Sequence, residues 1–210
     1  MSIKASITGR SGGERGFTLV ELLVAMFVLS IVTAIFGTTL ASVQSAVVRE
    51  DRYSRANDQA RLAMEQLDRE VRSGNVLYDP ADPLAGYLPY YYVRIYTQTN
   101  APTRGGYVCS MWQIDTNQQL LTRRWDPANP NGTATGWRVV ATGVVNRALS
   151  ERAFQLDADP MKGNRTLNVT LAVNADLTHS PTQTVRLNAA LTGRNTSYGY
   201  PVSVCSTLPS

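Results

Sequence analysis

Apolar and polar positions divide this chain into three stretches with different periods. Between Phe17 and Val48 the side chains are almost continuously apolar, and Glu21 is the only ionisable one. A run of that length exceeds the roughly 20 residues that cross a bilayer as a helix. From Arg49 the period changes: Ala56, Ala60, Ala63, Met64, Leu67 and Val71 recur at helical spacing, while Arg52, Arg55, Arg61, Asp68, Arg69 and Arg72 fall largely elsewhere on the wheel. The helix is therefore predicted to continue with one amphipathic face. Asp51 with Arg55, Glu65 with Arg69 and Asp68 with Arg72 are acid-before-base pairs in the favourable orientation. Ser73-Gly74-Asn75 reads as the stop, with Gly74 available for a left-handed cap. Gly37 marks a bend, a close helix contact or a tolerated membrane-helix glycine.

After Asn75 the helical period is lost and the pattern becomes that of strands. Asp79-Pro80, Asp82-Pro83 and Leu88-Pro89 are loop signals. Strands are predicted over Tyr90–Tyr96, Tyr107–Ile114, Gln119–Trp125, Trp137–Ala141, Arg165–Val173 and Gln183–Leu191. The last two alternate most clearly, with Leu167, Val169, Leu171 and Val173 on one side and Val185, Leu187, Ala189 and Leu191 likewise. Half-polar strands of this kind suit an antiparallel sheet with one solvated face. A long helix packed on such a sheet is an α+β fold.

Composition agrees with one globular domain plus an extension: 210 residues, 43% hydrophobic and 17% charged. Lys4, Arg10 and Arg15 against Glu14 give the segment before the apolar run a charge of 3 − 1 = +2, half of the chain's formal +4. Basic residues ahead of the apolar run predict a cytoplasmic N-terminus and an exported body. The two cysteines, Cys109 and Cys205, are then candidates for a disulfide, with two buried thiols as the alternative. A bridge between them closes a loop worth about 4–5 kcal/mol in the chain-entropy model.

Candidate chemistry is sparse. The single histidine, His179, stands in an expected loop beside Ser180-Pro181, so no histidine metal cluster is expected and no cofactor is implied. Asp115-Thr-Asn117 and Asp157-Ala-Asp159 offer oxygens but lack the spacing of a calcium loop, and turns account for them. No phosphate-binding glycine loop or serine nucleophile elbow occurs, which disfavours a membrane-anchored surface enzyme. Tyr90, Tyr92, Arg94 and Tyr96 alternate with Tyr91, Val93 and Ile95; the first set is a candidate binding face for nucleic acid, the second a core face.

The segment Arg15-Gly16-Phe17-Thr18-Leu19-Val20-Glu21 resembles the prepilin motif of type IV pilins and type II secretion pseudopilins. An ordinary signal peptide is cut after its apolar region, whereas here the glycine precedes it. A plain anchor has no use for Glu21, since a carboxylate in hydrocarbon costs about 2.5–3.5 kcal/mol even on lenient scales. The resemblance implies cleavage after Gly16 by a prepilin peptidase, a methylated Phe17 as the mature N-terminus, and Glu21 as the assembly acid. It divides the chain into a cytoplasmic leader at 1–16, a transmembrane and filament-assembly helix at 17–48, an amphipathic helix half at 49–73 and an exported β-rich domain at 74–210. Arg61 to Val71, the strands around Trp112 and Leu120 to Trp125, and Gly136 to Asn146 are similar to the larger W-type minor pilins and J-type pseudopilins. The partners so implied are other minor and major subunits, the inner-membrane assembly platform and, before assembly, the lipid bilayer. Members of this kind start a filament and sit at its tip. An adhesin or DNA-uptake receptor is the second expectation.

Overall fold

The computed structural model describes residues 16–98, 106–129, 134–157, 165–193 and 203–208. Its fold is α+β: helix α1, Leu19–Arg72, of 54 residues, followed by eight strands. The chain forms two compact units that meet between Val48 and Arg49.

In the first unit α1 is exposed on every side, with Phe17, Leu19, Val20, Phe27 and Phe36 among its solvent-facing apolar residues. A helix apolar all round has its proper environment outside its own chain, and this one is long and apolar enough to cross a membrane. Its hydroxyls do not compromise that. Ser30, Thr33, Thr38, Thr39, Ser42 and Ser45 each donate to a carbonyl three or four residues back, at 2.7–2.9 Å. The helix runs through Gly37 unbroken, and a Cβ there would meet nothing within 4 Å.

In the second unit the amphipathic stripe is the core seam. Ala56, Ala60, Ala63, Leu67 and Val71 are buried against two antiparallel meanders. The first sheet has the order β1 (Gly74–Leu77), β2 (Tyr92–Gln98), β3 (Tyr107–Ile114), β4 (Gln119–Trp125), β5 (Arg138–Thr142). The second is β6 (Phe154–Leu156), β7 (Thr166–Val173), β8 (Val185–Thr192). Val93, Ile95, Trp112 and Leu120 from one sheet meet Phe154, Leu167 and Leu171 from the other in the same core, and the three alanines of α1 let the helix approach closely.

The sheets are stitched by buried backbone. Asn146 stands in for a strand, accepting from Ala172 N at 2.9 Å and donating to Thr170 O at 2.8 Å. Gly143, at φ +70°, turns the chain out of β5 where a Cβ would lie 3.2 Å from Asn174 O. The Tyr90 carbonyl accepts from both Ala153 N and Phe154 N, at 3.1 and 3.0 Å.

Three expectations need correction, and two short strands, β1 and β6, were not expected at all. Gly74 is no left-handed cap; it opens β1, and its missing Cβ admits Val71 O at 3.0 Å and Ile95 Cγ2 at 3.1 Å. Strand β2 starts at Tyr92 because Tyr90, at φ +67°, is committed to the sheet junction. Strand β6 has three residues, too few to show a period. Of the three helix pairs, Asp51–Arg55 (2.8 Å) and Asp68–Arg72 (2.7 Å) close, and Glu65–Arg69 does not.

Candidate assembly site

The tyrosine face is not a surface. Tyr92 is 1% exposed and Arg94 6%, because residues 203–208 lie over that side of the first sheet. Cys109 on β3 is disulfide-bonded to Cys205, with Cα atoms 5.8 Å apart. Around the bridge a second apolar cluster forms from Tyr78, Tyr92, Tyr96, Met111 and Trp125. Arg94 donates to Cys205 O at 2.9 Å and lies 4.7 Å over the Tyr78 ring, and Tyr78 Oη accepts from Cys205 N at 2.8 Å. Burial pushes the Tyr78, Tyr92 and Tyr96 phenols upward; the Arg94 charge opposes this at Tyr78 and Tyr92. Tyr90 is half-buried beneath the Arg152 guanidinium, 4.2 Å from its ring. The exposed Tyr90-Tyr92-Arg94 patch expected from alternation is therefore absent: both faces of β2 are covered, and alternation shows only that two faces differ.

Glu70 is the polar residue that sequence reasoning missed. It is 5% exposed and accepts from Trp112 Nε1 at 2.7 Å, from the Ser110 hydroxyl and from the Arg124 guanidinium. Gln66 adds a longer contact of 3.4 Å. One carboxylate thus fastens the end of α1 to β3 and β4, and its lone pairs are used as a buried charge requires. The signal was present: Glu70 falls on the same stripe as Ala56, Ala60, Ala63 and Leu67.

Elsewhere the polar groups serve turns. Asp115 Oδ1 accepts from Asn117 N and Gln119 N, at 2.9 and 2.8 Å. His179 is exposed and meets Asp176 at 2.7 Å, and the Asp176 carboxyl is held below its ordinary value first by that hydrogen bond. Among the described residues no group of His, Cys, Asp and Glu is placed to hold a metal ion. Asp159 lies outside the described residues.

At the other end of the chain Gly16, Phe17 and Thr18 precede α1 outside any regular element. Thr18 is the cap: its Oγ1 accepts from Glu21 N at 3.3 Å, and its carbonyl from Glu21 N and Leu22 N at 3.1 and 3.2 Å. Thr18-Leu-Val-Glu21 carries the capping-box spacing, a second signal that sequence reasoning passed over. A Cβ on Gly16 would meet nothing within 4 Å, and its φ is not left-handed, so the fold itself makes no demand for glycine there. Glu21 is exposed, and among the described residues no base pairs with it. A glycine the fold does not need thus precedes an apolar helix whose one acid meets no base among the described residues.

Residues 12–37 match the prokaryotic N-terminal methylation motif. No curated protein matches the chain, and no solved structure does.

The motif is a type IV pilin-like signal, and it implies processing by a prepilin peptidase and assembly with other pilins. It suggests a structural rather than a catalytic protein, and with the apolar helix it fits a membrane-anchored pilin. Gly16, Phe17 and Glu21 all lie within the matched span.

Proposed function

We propose that this chain is a minor pilin or pseudopilin, of the larger W and J kind, that helps start and cap a type IV pilus or a type II secretion pseudopilus. The observation that carries the reading is Glu21, an acid in an otherwise uncharged apolar run that meets no base among the described residues. Cleavage after Gly16 creates a positive amine at Phe17, and a neighbour's amine answers Glu21 inside a filament core. Desolvation offsets much of that attraction, so the pair sets the stagger of subunits more than it holds them together. Methylation leaves the amine charged. In this reading the chain is a single-pass inner-membrane protein with an exported domain, which then moves to the filament tip.

The test is the mature N-terminus. Mass measurement of the chain from cells that carry the peptidase should begin at methylated Phe17, and Gly16→Val should block the cut. A start beyond the apolar run would make the segment an ordinary signal peptide and end the proposal. The receptor reading finds no support in Tyr92 and Arg94, which are buried.

A further inference from the structure

The two sheets have four edges, and three are defended in the usual ways. Strand β6 has three residues; β1 has four and β5 five, and the pairing of each with its neighbour is broken by a register shift. Strand β8 is different. It has eight residues without proline or lysine, and it pairs with β7 in eight consecutive steps without a shift.

The phase of that ladder identifies the groups left over. Gly193 N donates to Arg165 O at 2.8 Å, continuing the register Thr166↔Thr192 by one step. Hydrogen-bonded pairs alternate along an antiparallel ladder, so Val185, Leu187, Ala189 and Leu191 bond to β7. Arg186, Asn188, Ala190 and Thr192 therefore aim their N–H and C=O groups away from it. The far side agrees, since Thr170 N donates to Ala153 O and Asp157 N to Thr166 O, turning even-numbered β7 residues toward β6. No described residue takes up the free groups of β8.

Beside that edge runs an open groove of about 550 Å³, walled by α1 on one side and β8 on the other, with Met64, Leu187 and Leu191 among its lining. Its charges select among occupants. Arg72 is paired with Asp68 and Arg186 with Glu151, which leaves Arg61 and Glu65 without a counter-ion among the described residues. One unpaired charge of each sign is a poor match for a polyanion and a good one for a polypeptide. Donors and acceptors repeating every second residue select an extended backbone.

We propose that the free edge of β8 and the groove beside α1 receive an extended strand of another exported subunit, added to the second sheet by main-chain hydrogen bonds. The identity of that partner rests on the pilin-type reading; the docking chemistry does not. Apolar side chains of the incoming strand enter the groove over Met64 and Leu187, and its flanking charges meet Arg61 and Glu65.

The binding test uses the full chain in detergent micelles and a synthetic octapeptide of alternating valine and threonine flanked by one glutamate and one lysine. At ten times its Kd the peptide should slow amide exchange about tenfold at Arg186, Asn188, Ala190 and Thr192, while Leu187 and Ala189, already bonded, stay unchanged. Asn188→Pro removes an outward N–H and should abolish the effect, whereas Asn188→Ala should keep it. Where Asn188→Pro fails to fold, judged by loss of the Cys109–Cys205 bridge, Ala190→Pro takes its place.

Equal slowing at odd and even residues, or peptide binding to the proline variant, would overturn the proposal. So would protection by an oligonucleotide, or protection by raising the protein concentration alone, which would make the occupant a second copy. In cells, Asn188→Pro should lower filament number about tenfold with normal cleavage after Gly16, and wild-type numbers would count against the edge. A chain not cut after Gly16 removes the pilin reading and leaves the peptide result standing.

Discussion

Helix α1 carries two glutamates with opposite circumstances. Glu21 is exposed in a unit where no described residue packs on the helix, and no base of the described chain reaches it. Glu70 is buried in the other unit and takes hydrogen bonds from Ser110, Trp112 and Arg124. A carboxylate whose bonding capacity is filled within its own chain serves the fold. One left open in an apolar setting is, on the function proposed above, answered by a neighbouring subunit. The two residues should therefore fail in different assays when removed.

The largest effect is expected at Glu21, and in assembly alone. Glu21→Ala should reduce filament number or secretion by about tenfold or more, the order of a single lost anchoring contact. Protein level and the melting of the exported domain should stay unchanged. Glu21→Asp should restore part of the activity if the shorter side chain reaches, and Glu21→Gln less, because charge matters more than size. Normal filament numbers in Glu21→Ala at normal protein level would remove the contrast with Glu70.

Glu70→Ala should do the reverse. It leaves the Trp112 N–H and the Ser110 hydroxyl without an acceptor and Arg124 without its carboxylate, at a cost of about 3 kcal/mol. For a domain of this size that is a fall in Tm of roughly 6–12 °C, measurable by thermal denaturation. Glu70→Gln keeps an acceptor for Trp112 and should lose less. A Glu70→Ala domain that melts as wild type would mean the carboxylate is dispensable to the fold.

Legibility of the fold followed the length of each pattern. The helix stripe from Ala56 to Val71 and the alternation in Thr166–Val173 and Val185–Thr192 extend far enough to leave a period, and each is found in place. Phe154–Leu156 and Gly74–Leu77 are too short for one, and both are held by partners distant in sequence. Tyr92 and Arg94 show a different limit. Alternation assigned them to one face of a strand, but whether that face is wet depends on Cys205, more than a hundred residues on, and no local pattern carries that information. The N-terminal motif was legible for the opposite reason: it is a local signal, matched over residues 12–37, whose recognition does not wait on tertiary contacts.

The tyrosines around the disulfide give a smaller effect that separates the second cluster from the first. Tyr78, Tyr92 and Tyr96 are held neutral above the ordinary phenol value because burial penalises the phenolate. A pKa raised on folding means that the stabilisation is complete below about pH 10, where the unfolded phenols are also neutral. It is lost as pH rises through the folded values. Thermal scans from pH 8 upward should show a stability that falls beyond pH 10, and Tyr78→Phe should flatten that fall. At neutral pH the same substitution orphans Cys205 N and should cost about 1 kcal/mol. An unchanged alkaline slope in Tyr78→Phe would place the titration elsewhere.

Asp176 completes the series as an acid whose partner is local and wet. His179, three residues on, donates to it at 2.7 Å and is the chief reason its carboxyl titrates low, with Arg49 a lesser one. A pKa lowered on folding stabilises above the unfolded carboxyl value and stops doing so as pH falls through the folded one. Solvent screens an exposed pair of this kind, so the effect on melting should be close to the error of measurement. The carboxyl itself is the better probe. Its NMR titration should lie below the ordinary range in the wild-type chain and move up toward it in His179→Ala, with the Glu70 contacts and the melting temperature unchanged. A His179→Ala chain whose Asp176 titrates as before would assign the shift to Arg49 instead.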